Sequence, residues 1–320
     1  MPDLNIKNII NFSETAKVFF LYSLRYSIPY LPLNLKHTLA DRLAAVSSHG
    51  EKAVVMKSEL ELLFGKEKFT GSEISEIIIE CLRNFRKDLF EIWSFPKLNS
   101  RKAEDLCAID GMEHLENALK KGSGVIIALC HFGSYKMILP CLGYKGYKIT
   151  QVAANPLDLT GKDKSIVKNK TMEIEFQCEK SLPAHFFYIG TTPRQIYRVL
   201  QNNEILVMSL DGILDPNRIS VPFLQRKVRL SPSLVKIAER TKATILPVFT
   251  VREKNGKHRI IIDNEIPLEN GGDKEKQEIN VLSKFGSLME RYVREFPSHY
   301  LWYLYKNKTE PPPIGSIIID

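Results

Sequence analysis

The chain has no G-x-S-x-G elbow, Walker loop, H-E-x-x-H helix or G-x-G-x-x-G fingerprint, so serine-hydrolase, nucleotide and zinc-protease readings lose their usual support. Cysteine is scarce: five residues, Cys81, Cys107, Cys130, Cys141 and Cys178, with no C-x-x-C pair. An odd count without that pair argues for reduced thiols and against a zinc site. The opening "MPDLNIKNIINFSETAK" lacks a charged segment followed by an apolar one, so no cleaved secretory signal is expected. There is no internal repeat, no long low-complexity linker and no basic patch interleaved with aromatics, and nucleic acid is not an expected partner.

What is present is a globular composition, with 320 residues at 44% hydrophobic content, enough to bury a large core. Lysine and arginine number 45 against 37 acidic residues, a formal charge of +8. That balance suits an anionic partner such as phospholipid headgroups or an acidic carrier protein, and equally suits a generally basic solvated surface. The densest early aromatic stretch, "VFFLYSLRYSIPYLPLNLKHTLADRLAAV", is interrupted by Arg25 and Lys36, and no uncharged window in it reaches the roughly 20 residues a bilayer span requires. Two readings remain open for it. Phe19, Phe20, Tyr22 and Tyr26 sit among bilayer headgroups, or the helix packs on the core.

Helical spacing continues through "SEISEIIIECLRNFRKDLFEIW", with Ser72 as the expected N-cap. After about residue 100 strands and helices alternate: "GVIIALC", "YKITQVAAN", "AHFFYIG" and "ILVMSLD" read as strands separated by helical patterns. This order predicts an α/β fold with a mostly parallel sheet flanked by helices. Asn255-Gly256 predicts an antiparallel hairpin closing one edge of that sheet, and a long helix is predicted over 274–296. The expected regions of one domain are a helical, membrane-associating 1–100, an α/β core over 101–306 and a Pro-rich tail over 307–320.

In open α/β sheets ligands bind beyond the carboxyl ends of the strands. His131 follows "GVIIALC", Asp211 follows "ILVMSL", Arg252 ends "ILPVFTVR", and Arg194 opens the helix before Asp211. A histidine, a carboxylate and guanidiniums converging there suit acyl transfer to a hydroxyl, with histidine as base and cations holding an anion or oxyanion. Each residue also has a plainer role: a hydrogen-bonded structural histidine, an aspartate capping a turn, a solvated arginine.

The order "EHLENALKKGSGVIIALCHFGSYKM", "ILVMSLDG", "VPFLQRKVRLSPSLVKIAERTKATILPVFTVR" and "FPSHYLWYLYK" resembles the bacterial lipid A late acyltransferases of the lysophospholipid acyltransferase superfamily, over roughly residues 15 to 306. The resemblance implies a glycerolphosphate-acyltransferase-like fold and transfer of an acyl chain from acyl carrier protein or coenzyme A to a lipid hydroxyl. It also implies peripheral residence at the cytoplasmic face of the inner membrane, on an anionic surface, with no cofactor and no metal. His131 takes the base position of the family's His-x-x-x-x-Asp/Glu signature, and Lys136 stands where the acid belongs. Asp211 is the carboxylate expected to replace it. Gly133, Ser134, Arg194, Val221, Pro222, Phe223 and Arg252 are expected around the substrates, the Val-Pro-Phe run as a wall of the acyl site, with Tyr135 a further neighbour of the base. The alternatives are a slow or specialised transferase, and a degenerate site that binds an acyl chain or a partner without turnover.

Overall fold

Thr70 shows how the helical half is punctuated. Its hydroxyl accepts the Glu73 N–H at 3.3 Å while the Glu73 carboxylate accepts the Thr70 N–H at 2.7 Å. This reciprocal cap, rather than Ser72, starts the longest helix, because it satisfies two otherwise orphaned donors at once. The computed structural model describes residues 6–47, 50–155, 165–190, 192–269, 273–310 and 315–320, with backbone alone for 6–15, 46 and 47. Residues 311–314 of the Pro-rich tail, and residues 156–164 between the second and third expected strands, lie outside the described residues.

The helical region comprises α1 (Ile6–Ser27), α2 (Leu33–Ser47), α3 (Glu51–Phe64), α4 (Gly71–Ser94) and the short α5 (Ser100–Leu106). The alternating part then runs β1 (Cys107–Asp110), α6 (Met112–Lys120), β2 (Val125–Leu129), α7 (Ile138–Gly143), β3 (Ile149–Ala153), α8 (Ile166–Glu179), β4 (His185–Tyr188), α9 (Pro193–Gln201) and β5 (Ile205–Ser209). It closes with β6 (Ile219–Phe223), β7 (Arg226–Leu230), α10 (Ser233–Thr241), β8 (Thr244–Arg252), β9 (His258–Ile262), α11 (Lys274–Glu295), α12 (Ser298–Thr309) and β10 (Ile318–Ile319).

Seven strands form one sheet in the order β1-β9-β8-β2-β5-β3-β4. Every residue of β2 is buried, as a central strand covered on both faces requires. Ile126 and Ala128 enter a core shared with α3, α4, α11 and α12, while Val125, Ile127 and Leu129 enter the core on the opposite face. The predicted hairpin exists: β8 and β9 pair antiparallel around Asn255-Gly256. It does not form the edge, because β1, four residues too short to stand out in the sequence, adds parallel to β9 outside it. A second, three-stranded antiparallel sheet, β10-β7-β6, packs under α11.

The expectation of five reduced thiols is corrected at two positions. Cys107 and Cys141 are disulfide-bonded, tying β1 to α7, and the remaining three cysteines are buried. The partners lie 34 residues apart, so no local spacing announced them.

Helix α4 is fastened to the sheet by charge. The Arg252 side chain, 3% exposed at the end of β8, donates to both Glu91 oxygens at 2.5 and 2.8 Å and to Asp88 at 2.5 Å. His258 of β9 and His37 of α2 each stand 3.0 Å from the Glu91 carboxylate. Burial alone would raise the Glu91 carboxyl, but Arg252 and His258 outweigh it and hold the group well below the usual carboxylate range. A buried ion pair is most costly when half of it is removed. Glu91→Ala, which strands Arg252 without its bidentate partner, is therefore expected to cost about 3–5 kcal/mol of stability in urea unfolding. A loss under about 1 kcal/mol, the size of an exposed pair, would contradict this assignment.

Candidate active site

The strand register brings the histidine and the aspartate together. β2 and β5 pair in parallel with Leu129 opposite Ser209, so the residues two steps beyond, His131 and Asp211, emerge side by side at the carboxyl edge. The His131 Nδ1 lies 2.8 Å from Asp211 Oδ1, and the His131 main-chain N–H donates to Oδ2 at 2.9 Å. Asp211 has no exposed surface, whereas the His131 side chain is 27% exposed. With Nδ1 turned to the carboxylate, Nε2 faces the cavity and makes no hydrogen bond to a described residue.

Sequence reasoning missed two further groups. Tyr300 and Tyr303 of α12, three residues apart and so on one helical face, both reach Asp211. Tyr300 donates to Oδ2 at 3.1 Å and Tyr303 to the main-chain oxygen at 2.6 Å. Burial, then the Asp211 charge, pushes both phenols well above their ordinary range, so they remain donors. The Tyr303 ring lies flat on the imidazole, with centroids 4.2 Å apart and planes at 6°, while Tyr135 meets it edge-on at 5.0 Å. The i, i+3 tyrosines in "HYLWYLYK" were the available signal, but nothing in the sequence aimed them at Asp211.

A cavity of about 1160 Å³ opens in front of His131, above the roughly 300–1,000 Å³ common for small-ligand sites. Val152, Met172, Phe176, Ile196 and Met208 line an apolar part between β3, β5, α8 and α9; Phe85, Trp302 and Tyr303 line another between α4 and α12. Lys136 also lines it but is not aimed at His131. Its ammonium pairs with Glu175 at 3.3 Å and with Glu179, both on α8. Burial opposes its charge, yet Glu179, Tyr135 and Glu175 raise it well above the usual lysine range. Lys136 thus pins α8 against the turn at Tyr135–Met137 and stays cationic. Among the described residues no group of three or more histidine, cysteine or acidic side chains is placed to hold a metal ion.

Of the remaining expected site residues, Gly133 and Ser134 line the cavity and Arg194, Val221, Pro222, Phe223 and Arg252 do not. Arg252 is committed to Glu91 and Asp88, so its guanidinium is turned into the protein and away from any oxyanion. Ser134 belongs to the same network, donating to Asp88 at 2.5 Å and accepting from Arg252 at 3.1 Å. Arg194 is exposed on the first turn of α9, outside the cavity lining. Val221 and Phe223 are buried core under α11 and α12, and Pro222 points out, as alternation along β6 dictates. None of the three lines the cavity, although Phe223 packs edge-on against Tyr300 at 6.2 Å. Gly133 does line it: its φ is +57°, and a Cβ there would lie 1.9 Å from the Thr250 carbonyl oxygen, so only glycine fits.

His299 is a second histidine at the cavity. Its Nε2 accepts the Arg252 main-chain N–H at 3.1 Å, and its carbonyl accepts the Gly133 N–H at 2.9 Å. Burial first, then the charges of Arg252 and His258, push this ring down to about 3. An unfolded histidine protonates near 6.5, so as pH falls the unfolded chain takes up the proton first. Stability from this group is full above about pH 6.5 and declines toward pH 3, by less than about 1.4 kcal/mol per unit for a half-buried ring. Urea unfolding at pH 7 and pH 5 should register that slope, and His299→Gln, which keeps an acceptor for Arg252, should flatten it. An unchanged slope in the variant would assign the acid sensitivity to other groups.

A histidine held by a buried aspartate at the mouth of a large, largely apolar cavity defines a class: a site suited to proton abstraction beside a lipid-sized substrate. Residues 9–309 match the family model described as bacterial lipid A biosynthesis acyltransferase, and the chain belongs to that family. Phosphatidylinositol mannoside acyltransferase of Mycobacterium tuberculosis, from strains CDC 1551 / Oshkosh and ATCC 25618 / H37Rv, is 25% identical to it over 187 residues. That similarity covers 56% of this chain and 56% of those proteins, so the chain spans little more than half the length of these curated relatives. The family description and the names of these relatives are alike those of acyltransferases.

Proposed function

We propose that the protein transfers a fatty acyl chain from an acyl thioester, carried by acyl carrier protein or coenzyme A, to a hydroxyl of a lipid acceptor, with His131 as general base. The observation that carries this reading is the 2.8 Å contact between His131 Nδ1 and the buried Asp211. A carboxylate there selects the tautomer that leaves Nε2 basic, and stabilises the imidazolium formed when Nε2 takes the hydroxyl proton. The acceptor oxygen attacks the thioester carbonyl, the tetrahedral intermediate collapses, and the departing thiolate recovers the proton from the imidazolium. Asp211, at the end of β5, takes the part of the acid that the family signature would put where Lys136 stands. The binding-only alternative rested on Lys136, and it loses force because Lys136 answers to Glu175 and Glu179 instead.

Thioester consumption with a lipid acceptor tests this. His131→Ala should abolish transfer, and Asp211→Asn should lower kcat by about 10²–10⁴-fold, the range for losing an acid–base group or its orienting carboxylate. Lys136→Glu should not raise activity, since it sets three carboxylates together and loosens α8. Full activity in His131→Ala ends the proposal; recovery of activity in Lys136→Glu would return the missing acid to position 136.

We further propose that the protein works as a peripheral protein on the anionic cytoplasmic face of the inner membrane. No helix among the described residues is long and apolar enough to cross a membrane. Phe19, Phe20, Tyr26 and Tyr30 are 56–75% exposed, and Arg25 and Lys97 lie over the rings of Tyr26 and Tyr30. Aromatic rings at headgroup depth beside cations suit an acidic bilayer surface. The protein should float with vesicles containing anionic lipid and be released by salt, and Phe19→Ser with Phe20→Ser should weaken binding. Equal failure to float with anionic and zwitterionic vesicles would end this part of the reading.

A further inference from the structure

We infer that Tyr303 and Tyr300 of α12 are positioning residues for the His131–Asp211 pair, with Tyr303 also stabilising the cation that forms on the imidazole. This rests on the acyl-transfer reading above. The Asp211 carboxylate receives three hydrogen bonds: His131 Nδ1–H on Oδ1, and the His131 main-chain N–H and Tyr300 hydroxyl on Oδ2. With Oδ2 held by two donors, Oδ1 is left for the imidazole, and the carboxylate cannot rotate without breaking both.

Tyr303 restrains the other partner. Its hydroxyl is tethered to the Asp211 main-chain oxygen at 2.6 Å, which holds the far end of the ring in place, and the ring plane lies 6° from the imidazole with centroids 4.2 Å apart. A phenylalanine would stack as well but lose the tether; an aliphatic residue would lose both. During transfer the hydroxyl proton moves to Nε2 and the ring becomes an imidazolium. A cation over the electron-rich face of an aromatic ring is attracted to it, more strongly where water is excluded. Neutral imidazole gains far less, so the contact favours the charged intermediate over the resting state, the condition for lowering a barrier. Both tyrosines come from one helical turn, so α12 presents them as a rigid pair.

Three variants, Tyr303→Phe, Tyr303→Leu and Tyr300→Phe, separate these roles, read by steady-state kinetics and by ¹⁵N-histidine NMR of the His131 tautomer. Tyr303→Leu should lower kcat by about tenfold, the worth of a buried cation–ring contact, whatever it does to KM through the cavity wall. Its Nδ1–H resonance should be lost or averaged between tautomers. Tyr303→Phe, which keeps the ring and loses the tether, should keep that resonance with a smaller loss of kcat than Tyr303→Leu, and Tyr300→Phe should keep the tautomer while shifting the resonance. A folded Tyr303→Leu protein, with native circular dichroism, that retains both wild-type kcat and the wild-type resonance overturns the inference. If the wild type transfers no acyl chain yet its Nδ1–H resonance disappears in Tyr303→Leu, the positioning role stands and the acyl-transfer reading fails.

Discussion

A carboxylate with no exposed surface persists only where donors replace the water it has lost. Asp211 meets that condition by drawing on two segments at once: the strand end beside its own, which gives the main chain and ring of His131, and α12 far along the chain. Much of the architecture around the cavity serves this requirement. The parallel pairing of β2 and β5 delivers His131, and packing of α12 against α4 delivers the tyrosines. The burial that makes Asp211 demanding is also what makes its bond to His131 strong, because little water competes for it.

A second polar network lies beside the first and is built differently. Around Arg252 the charges compensate one another, and the result anchors α4 rather than presenting a reactive group. The two networks touch through Gly133 and His299, where a main-chain bond and a neutral imidazole separate the fixed charges from His131. Near one sheet edge, one buried ionic cluster is thus spent on rigidity and one His–Asp pair is left addressable from the cavity.

The apolar runs of β2, β5 and β8 were legible because strands covered on both faces read as continuous hydrophobic segments. Finding His131 and Asp211 at their ends needed no more than that. Their contact did not follow from it, because adjacency depends on strand order, and the order 8-2-5-3 is set by packing of residues distant in sequence. Arg252 looked equivalent at the end of its strand; Glu91, 161 residues away, decides its role. Position 136 shows a related limit: a spacing of five residues after the histidine names one place for an acid, but an acid can also approach the imidazole from another strand, as Asp211 does. β1, the second sheet, the disulfide and the α12 tyrosines were illegible because each acquires meaning only from a partner that local pattern does not name.

Tyr300 of α12 follows Asp211 by 89 residues, so during synthesis the strands bearing His131 and Asp211 emerge well before the helix that satisfies them. Until residues 298–309 dock, Asp211 lacks the hydroxyls of Tyr300 and Tyr303, and His131 lacks the ring against which it lies. The same late helix lines the cavity through Trp302 and Tyr303. Assembly of the His131–Asp211 pair and completion of the chamber in front of it are therefore one event, tied to a helix translated 89 residues after Asp211, and a nascent chain carries the two residues without the surroundings that hold them.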